Sequence, residues 1–263
     1  MIDKIFPETL KILDNLIKFQ TVSGASNLDL IQYCEEILNK SGAKSFKTFN
    51  KSSTQANLFS TIEAENPNQK GIVLSGHTDV VPANPSDWAS NPYIAFKKDN
   101  KVYGRGTCDM KGFIACTLAV APLFASSKLK KPVHFSYTFD EETGCLGAPL
   151  VLADLKKRNL DFSACIIGEP TNMRAVTANK GYNEYVTHFT GLSGHASNPD
   201  SGISAIEYAV EYSNKLMELK KQLTKRENEN KLFSPSYSTL QIGKISGGIG
   251  ANVIADKCSL EWE

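Results

Sequence analysis

The sequence has no apolar run long enough to cross a bilayer. Its longest nearly apolar stretch, Phe113 to Ala125, is interrupted by Thr117 and Pro122 and falls short of the ~20 residues a hydrocarbon layer requires. It reads instead as a buried helix. There is no excess of charge: 29 Lys plus Arg face 28 Asp plus Glu, so no net positive field favours nucleic acid or an anionic membrane as partner. The six cysteines (34, 108, 116, 145, 165 and 258) show no CxxC pair and no regular spacing, so neither a zinc knuckle nor a disulfide framework is indicated and reduced thiols are expected. The N-terminus, MIDKIFPETLKILDNLIKFQ, is a charged amphipathic helix without a signal peptide's apolar segment, and a cytoplasmic protein is expected on that ground. No internal repeat is visible. What is there is an ordinary globular composition, 41% hydrophobic and 22% charged over 263 residues, enough for one large domain or two modest ones.

Two helices open the chain, with Leu10, Leu13 and Ile17 and then Leu28, Ile31, Cys34 and Leu38 at helical spacing, and Ser26 with Asp29 offering a cap for the second. Short apolar runs at 57–62, 71–75, 133–139 and 164–167 read as strands. Helical patterns at 110–126 and 146–157 lie between the last three, and this alternation predicts an α/β fold: a largely parallel catalytic sheet with helices on both faces. Near residue 180 the pattern changes. A strand at 181–190, a helix at 203–219 with apolar residues at 203, 206, 210 and 217, and strands at 238–245 and 253–262 predict a small α+β domain over 180–263, after a first domain over 1–179. The charged stretch 220–231 is expected as a solvated helix end and loop. The closing CSLEWE alternates like a strand and stops without turn or cap, which favours a fragment of a longer protein.

Parallel sheets gather function at the carboxyl ends of their strands, so the residues that follow each run are informative. GIVLSG leads into His77 and Asp79, VHFSYTF into Asp140, Glu141 and Glu142, and ACIIG into Glu169. Carboxylates brought together repel unless cations intervene, so a metal site is the economical explanation. Each residue taken alone has a plainer reading: His77 as a structural histidine, the Glu141-Glu142 pair as a solvated acidic turn, Glu169 as a loop acid. In extended backbone Glu141 and Glu142 would point to opposite sides. GRGTCDMKG (104–112) is not a Walker loop, since the GxxxxGK[ST] spacing is absent, and Asp109 reads equally as a helix N-cap. Cys108 beside it reads as a packing residue.

The ordered segments GHTDVVPA, YGRGTCDMKG, DEETGCLGA, IIGEPT and GLSGHASNPDSGISAIEY resemble the M20 family of dinuclear zinc amidohydrolases, over the chain from about residue 10 to 263. The resemblance implies two zinc ions (cobalt being possible), with His77 on one, Asp109 bridging both, Glu142 on the second and Glu169 on the first. It implies Glu141 as general acid/base, Asp79 supporting His77, His195 assisting the substrate carbonyl from a lid domain, and Asn252 contacting substrate. A homodimer formed through the lid is implied as well. The implied reaction is hydrolysis of an N-acyl amino acid, with N2-acetyl-L-ornithine giving ornithine and acetate as the nearest match in arginine biosynthesis. Desuccinylation of succinyl-diaminopimelate and dipeptide hydrolysis are the neighbouring activities, and a non-catalytic metal-binding or dimerising fragment is the alternative of another class. Family members continue beyond the lid and supply a second histidine, which neither His134 nor His188 matches.

Overall fold

The computed structural model describes residues 2–66, 69–226 and 231–263. Two compact units divide the chain, the first running to Arg174 and the second from Ala175 to Glu263. In the first, helices α1 (Ile2–Lys18), α2 (Leu28–Lys40), α3 (Lys111–Ala125) and α4 (Gly147–Lys157) flank a five-stranded sheet. Its strands are β1 (Lys44–Phe49), β2 (Ala56–Ile62), β3 (Gly71–His77), β6 (Val133–Thr138) and β7 (Phe162–Ile167), in the order β1-β2-β6-β3-β7. A small hairpin of β4 (Phe96–Lys98) and β5 (Lys101–Tyr103) lies outside it.

Strand β3 runs parallel to both β6 and β7, while β1, β2 and β6 pair antiparallel. The sheet is therefore mixed, and its parallel half is the half whose strand ends carry acids. Alternation sorts the side chains of β2: Ala56, Leu58 and Ile62 join Phe135, Tyr137 and the faces of α1, α2 and α3, whereas Phe59 turns to the other face with Val73 and, from α4, Val151 and Leu155. Helices thus cover both faces.

The structure corrects several details of the sequence reading. Asn27 rather than Ser26 holds the N-cap position of helix α2, its amide spent on Ala56 and on the Thr78 hydroxyl, while the Ser26 hydroxyl accepts from the Leu28 N–H at 3.4 Å. Strand β1 was not expected, since KSFKTF is too polar to read as one. Strand β7 does not lie buried: it is an edge strand with Ile166 and Ile167 51% and 63% exposed.

In the second unit β8 (Tyr185–Thr190), β10 (Ile242–Gly247) and β12 (Lys257–Trp262) form an antiparallel sheet in the order β10-β12-β8. Helix α5 (Ala205–Lys225) starts at Ser204, whose hydroxyl accepts from the Glu207 N–H at 3.3 Å, a capping bond. It buries Ala205, Ala209 and Leu216 against Cys258, Leu240 and Leu260. Of the apolar residues by which this helix was read, Ile206, Val210 and Met217 face out, and Ile203 lies before the first turn, also exposed. A second ladder pairs β9 (Gly194–His195) with β11 (Val253–Ile254). Of the charged stretch, α5 takes the residues up to Lys225, and 227–230 lie outside the described residues. Among the described residues, no helix is long and apolar enough to cross a membrane.

Candidate metal centre

The parallel register brings the site together. His77 ends β3 opposite Thr138 of β6, and Ser75 lies opposite Ile167 of β7, so the residues just beyond three adjacent strands emerge at one edge. His77 itself is buried. Its Nδ1 lies 2.9 Å from the carbonyl oxygen of Asp79, which can only accept, so Nδ1 carries the proton and Nε2 faces the acids. Around Nε2 lie Asp109 Oδ1 at 2.9 Å, Glu169 Oε1 at 3.6 Å and Glu141 Oε2 at 3.9 Å. The donor atoms fall into two groups that share this imidazole, His77–Glu141–Glu169 and His77–Asp109–Glu142, each with its atoms within 4.8 Å of one another.

The electrostatics of this cluster fit a cation. Burial opposes a charge on His77, yet hydrogen bonds and attraction from Asp79 and Asp109, with Glu169 behind them, push its pKa up to about 9. The carboxyls of Glu142 and Glu169 are raised, first by burial and then by the repulsion of neighbouring acids that His77 only partly offsets. One imidazole nitrogen among carboxylate oxygens is a donor set suited to zinc and to other borderline divalent ions.

The local backbone differs from the sequence reading at two places. Glu141 and Glu142 do not lie in an extended segment: Asp140 takes a left-handed conformation (φ 49°), and the chain turns so that the Gly144 and Cys145 N–H groups bond the Glu141 carbonyl. The pair still diverges, one acid to each donor group. Asp109 is not a helix cap, since Met110 holds that position in α3 and the Asp109 carboxylate turns to His77. Cys108, read as a packing residue, is exposed.

Asp79, singled out in the sequence beside His77, and several residues that sequence reasoning passed over support the cluster. The Asp79 carboxylate accepts from the backbone N–H of Glu141 at 3.0 Å and of Glu142 at 3.2 Å, and from the Ser23 hydroxyl at 2.7 Å. Against the cost of burial, its bonds from His77, Ser23 and Glu141 hold it below its ordinary pKa. Lys111 is buried beyond Asp109 and donates to the Phe19 carbonyl at 2.6 Å, its pKa pulled down by burial to about 8. Gly168 is required where it stands, because a β-carbon there would collide with the Phe113 ring. Polar residues of these types occur throughout any chain, and no sequence signal marks these ones.

In the second unit, His195 is exposed on β9, its Nδ1 2.7 Å from the Ser197 hydroxyl. It pairs with Val253 of β11, and the Asn252 carbonyl accepts from the Ala196 N–H at 2.9 Å, so His195 and Asn252 lie beside one another.

Known proteins are similar to this chain in sequence and in fold. The chain is 40% identical over 210 residues to an acetylornithine deacetylase of Yersinia pseudotuberculosis, covering 79% of this chain and 53% of that protein. It is 34% identical over 268 residues to an acetylornithine deacetylase of Buchnera aphidicola, covering 100% of this chain and 68% of that one. The chain thus spans between half and about two thirds of the length of these relatives. Among solved structures, an M20 family metallo-carboxypeptidase of Sulfolobus solfataricus superimposes with a TM-score of 0.73 at 17% identity, over 97% of this chain and 70% of that one. Human carnosine dipeptidase 1 does so with a TM-score of 0.66 at 18% identity, over 99% and 70%. At such identities the likeness is one of fold. The model of peptidase family M20/M25/M40 matches residues 73–261, the span that holds His77, Asp109, the Glu141-Glu142 turn and Glu169, and the chain belongs to that family.

Proposed function

We propose that this chain carries the metal centre of a zinc-dependent hydrolase that cleaves N2-acetyl-L-ornithine to L-ornithine and acetate. The observation that carries the reading is the single buried imidazole shared by two acidic donor groups, in a chain 40% identical to an acetylornithine deacetylase. His77 and Glu169 would hold one zinc, Glu142 the other, and Asp109 would bridge them. Zinc bound there would lower the pKa of an attacking water towards ~7 and polarise the amide carbonyl.

The chain's own residues do the rest. Glu141, 3.9 Å from His77, takes the proton of the water whose oxygen attacks the acyl carbon. It returns that proton to the amine nitrogen as the C–N bond breaks, so the products are a carboxylate and a free amine. Asp79 fixes the ring of His77 and the backbone of Glu141 and Glu142. Residues 1–179 form the catalytic part in this reading, and 180–263 form a lid and homodimerisation part in which His195 assists the substrate carbonyl and Asn252 contacts substrate. The outward stripe of Ile203, Ile206, Val210 and Met217 supports a dimer through this part.

The test separates ligand from base. Glu141→Ala retains zinc but loses about 100 to 10,000-fold in acetate release, since a general base contributes that much without binding metal. Glu142→Ala loses zinc. Zinc lost from Glu141→Ala while its turnover persists reverses the two roles, and a zinc-loaded chain that hydrolyses no N-acyl amino acid overturns the reading.

A further inference from the structure

Two buried carboxylates beside the centre belong to neither donor group, and both are tied to one short segment of chain. Asp79 binds the backbone of Glu141 and Glu142 and takes the Ser23 hydroxyl. Asp140 is buried at the head of the same turn. Its Oδ1 accepts from the Gly24 N–H at 2.7 Å and from the Gln55 amide at 2.7 Å, and Gln55 is held in turn by the Asn50 amide at 2.9 Å. The segment from Thr21 to Gly24 is strapped along the end of β3: the Thr21 hydroxyl donates to the Thr78 carbonyl, the Val80 N–H bonds the Thr21 carbonyl, and Val22 bridges Val80 in parallel.

The turn that carries Glu141 and Glu142 is therefore gripped from both sides through adjacent residues of one strap. Its two ends are tied together as well, since the Asn57 side chain accepts from the Phe139 N–H and donates to the Gly147 carbonyl. We propose that Asp140 is a positioning residue for the metal centre: clamped by Gly24 and Gln55, it sets the left-handed step that delivers Glu141 to one donor group and Glu142 to the other. This inference rests on the metal-centre reading above. The task asked of Asp140 is to accept two hydrogen bonds at one oxygen, which an asparagine carbonyl can also do. A methyl group cannot, and it would leave the buried Gln55 amide unpaired and release the Gly24 N–H.

Zinc binding to the full chain, followed by titration calorimetry and by the absorption of bound cobalt, tests this. Asp140→Ala is expected to weaken zinc binding by about 10 to 100-fold, the range seen when residues that orient metal ligands are removed. Asp140→Asn restores it to near the wild-type value, and the cobalt spectrum changes only in the alanine variant. Leu38→Ala, on the buried face of α2, serves as a control that destabilises the same unit without touching the turn. Should Asp140→Ala fail to fold, Gln55→Ala removes one arm of the clamp and is expected to weaken zinc binding in the same direction. Affinity in the Asp140 and Gln55 variants no lower than in the Leu38→Ala control overturns the proposal. Failure of Asp140→Asn to restore binding overturns it as well. A wild-type chain that binds neither zinc nor cobalt removes the metal-centre reading itself and this inference with it.

Discussion

His134 shows how far a residue's type can mislead about its role. It lies mid-strand in β6, hydrogen-bonded to the Thr61 hydroxyl at 2.9 Å and packed against Phe59 and Phe162, and burial pulls its pKa down to about 4. The unfolded chain takes up its proton at the ordinary value, about 6.5. Between those values the unfolded state binds more protons, so this residue's contribution to stability is intact above about pH 6.5 and is lost as pH falls towards 4, at up to ~1.4 kcal/mol per pH unit. Replacing it with Gln should flatten the pH dependence of the urea midpoint over that window, and equal slopes in variant and wild type would refute the assignment. The residues at the centre were more legible than this one. His77, Glu142 and Glu169 were readable because strand ends were readable and ionisable side chains follow them, whereas Asp109 read equally as a helix cap and was singled out by the family resemblance. Asp140, Ser23 and Gln55 were not, since their work depends on a positive φ and on partners far along the chain.

At the scale of elements, periodicity predicted where helices lie better than which way they face. In α5, apolar residues satisfy a period of 3.6 on two stripes, and the one that packs is the smaller: Ala205 and Ala209 let the helix approach Cys258, while Ile206, Val210 and Met217 remain outside. Helix α3 has no such ambiguity, being apolar over most of its surface and packed into the main core. Leu118→Ala in α3 should therefore cost about 2 to 5 kcal/mol in urea unfolding. Leu152→Ala in α4, where the side chain is 63% exposed, should change stability by no more than ~0.5 kcal/mol. Comparable losses for the two would mean the helix faces are wrongly assigned. Strand β1 was hidden because edge strands are half-solvated and tolerate the Lys, Ser and Thr that fill it.

For the molecule as a whole, the four histidines fall two in each unit. His134 is engaged with Thr61, His188 and His195 lie in the second unit, and His77 is the imidazole that both donor groups share. Zinc sites normally take about three protein ligands, and one imidazole nitrogen can bind only one ion. Titration with zinc should therefore show one tight equivalent and a distinct, weaker second phase, whereas two equivalents of equal affinity would require a nitrogen donor outside this cluster. The strap has a further consequence, which concerns time. The bond from Gly24 to Asp140 joins residues 116 positions apart. A ribosome adds about 5 to 20 residues per second, so Gly24 leaves it roughly ten seconds before the carboxylate it will clamp has been made. Throughout that interval the N-terminal helices can pack and β1 can pair with β2, but β3 has neither of its neighbours until β6 is made, the turn carrying Glu141 and Glu142 does not yet exist, and the centre is among the last parts of its unit to be assembled.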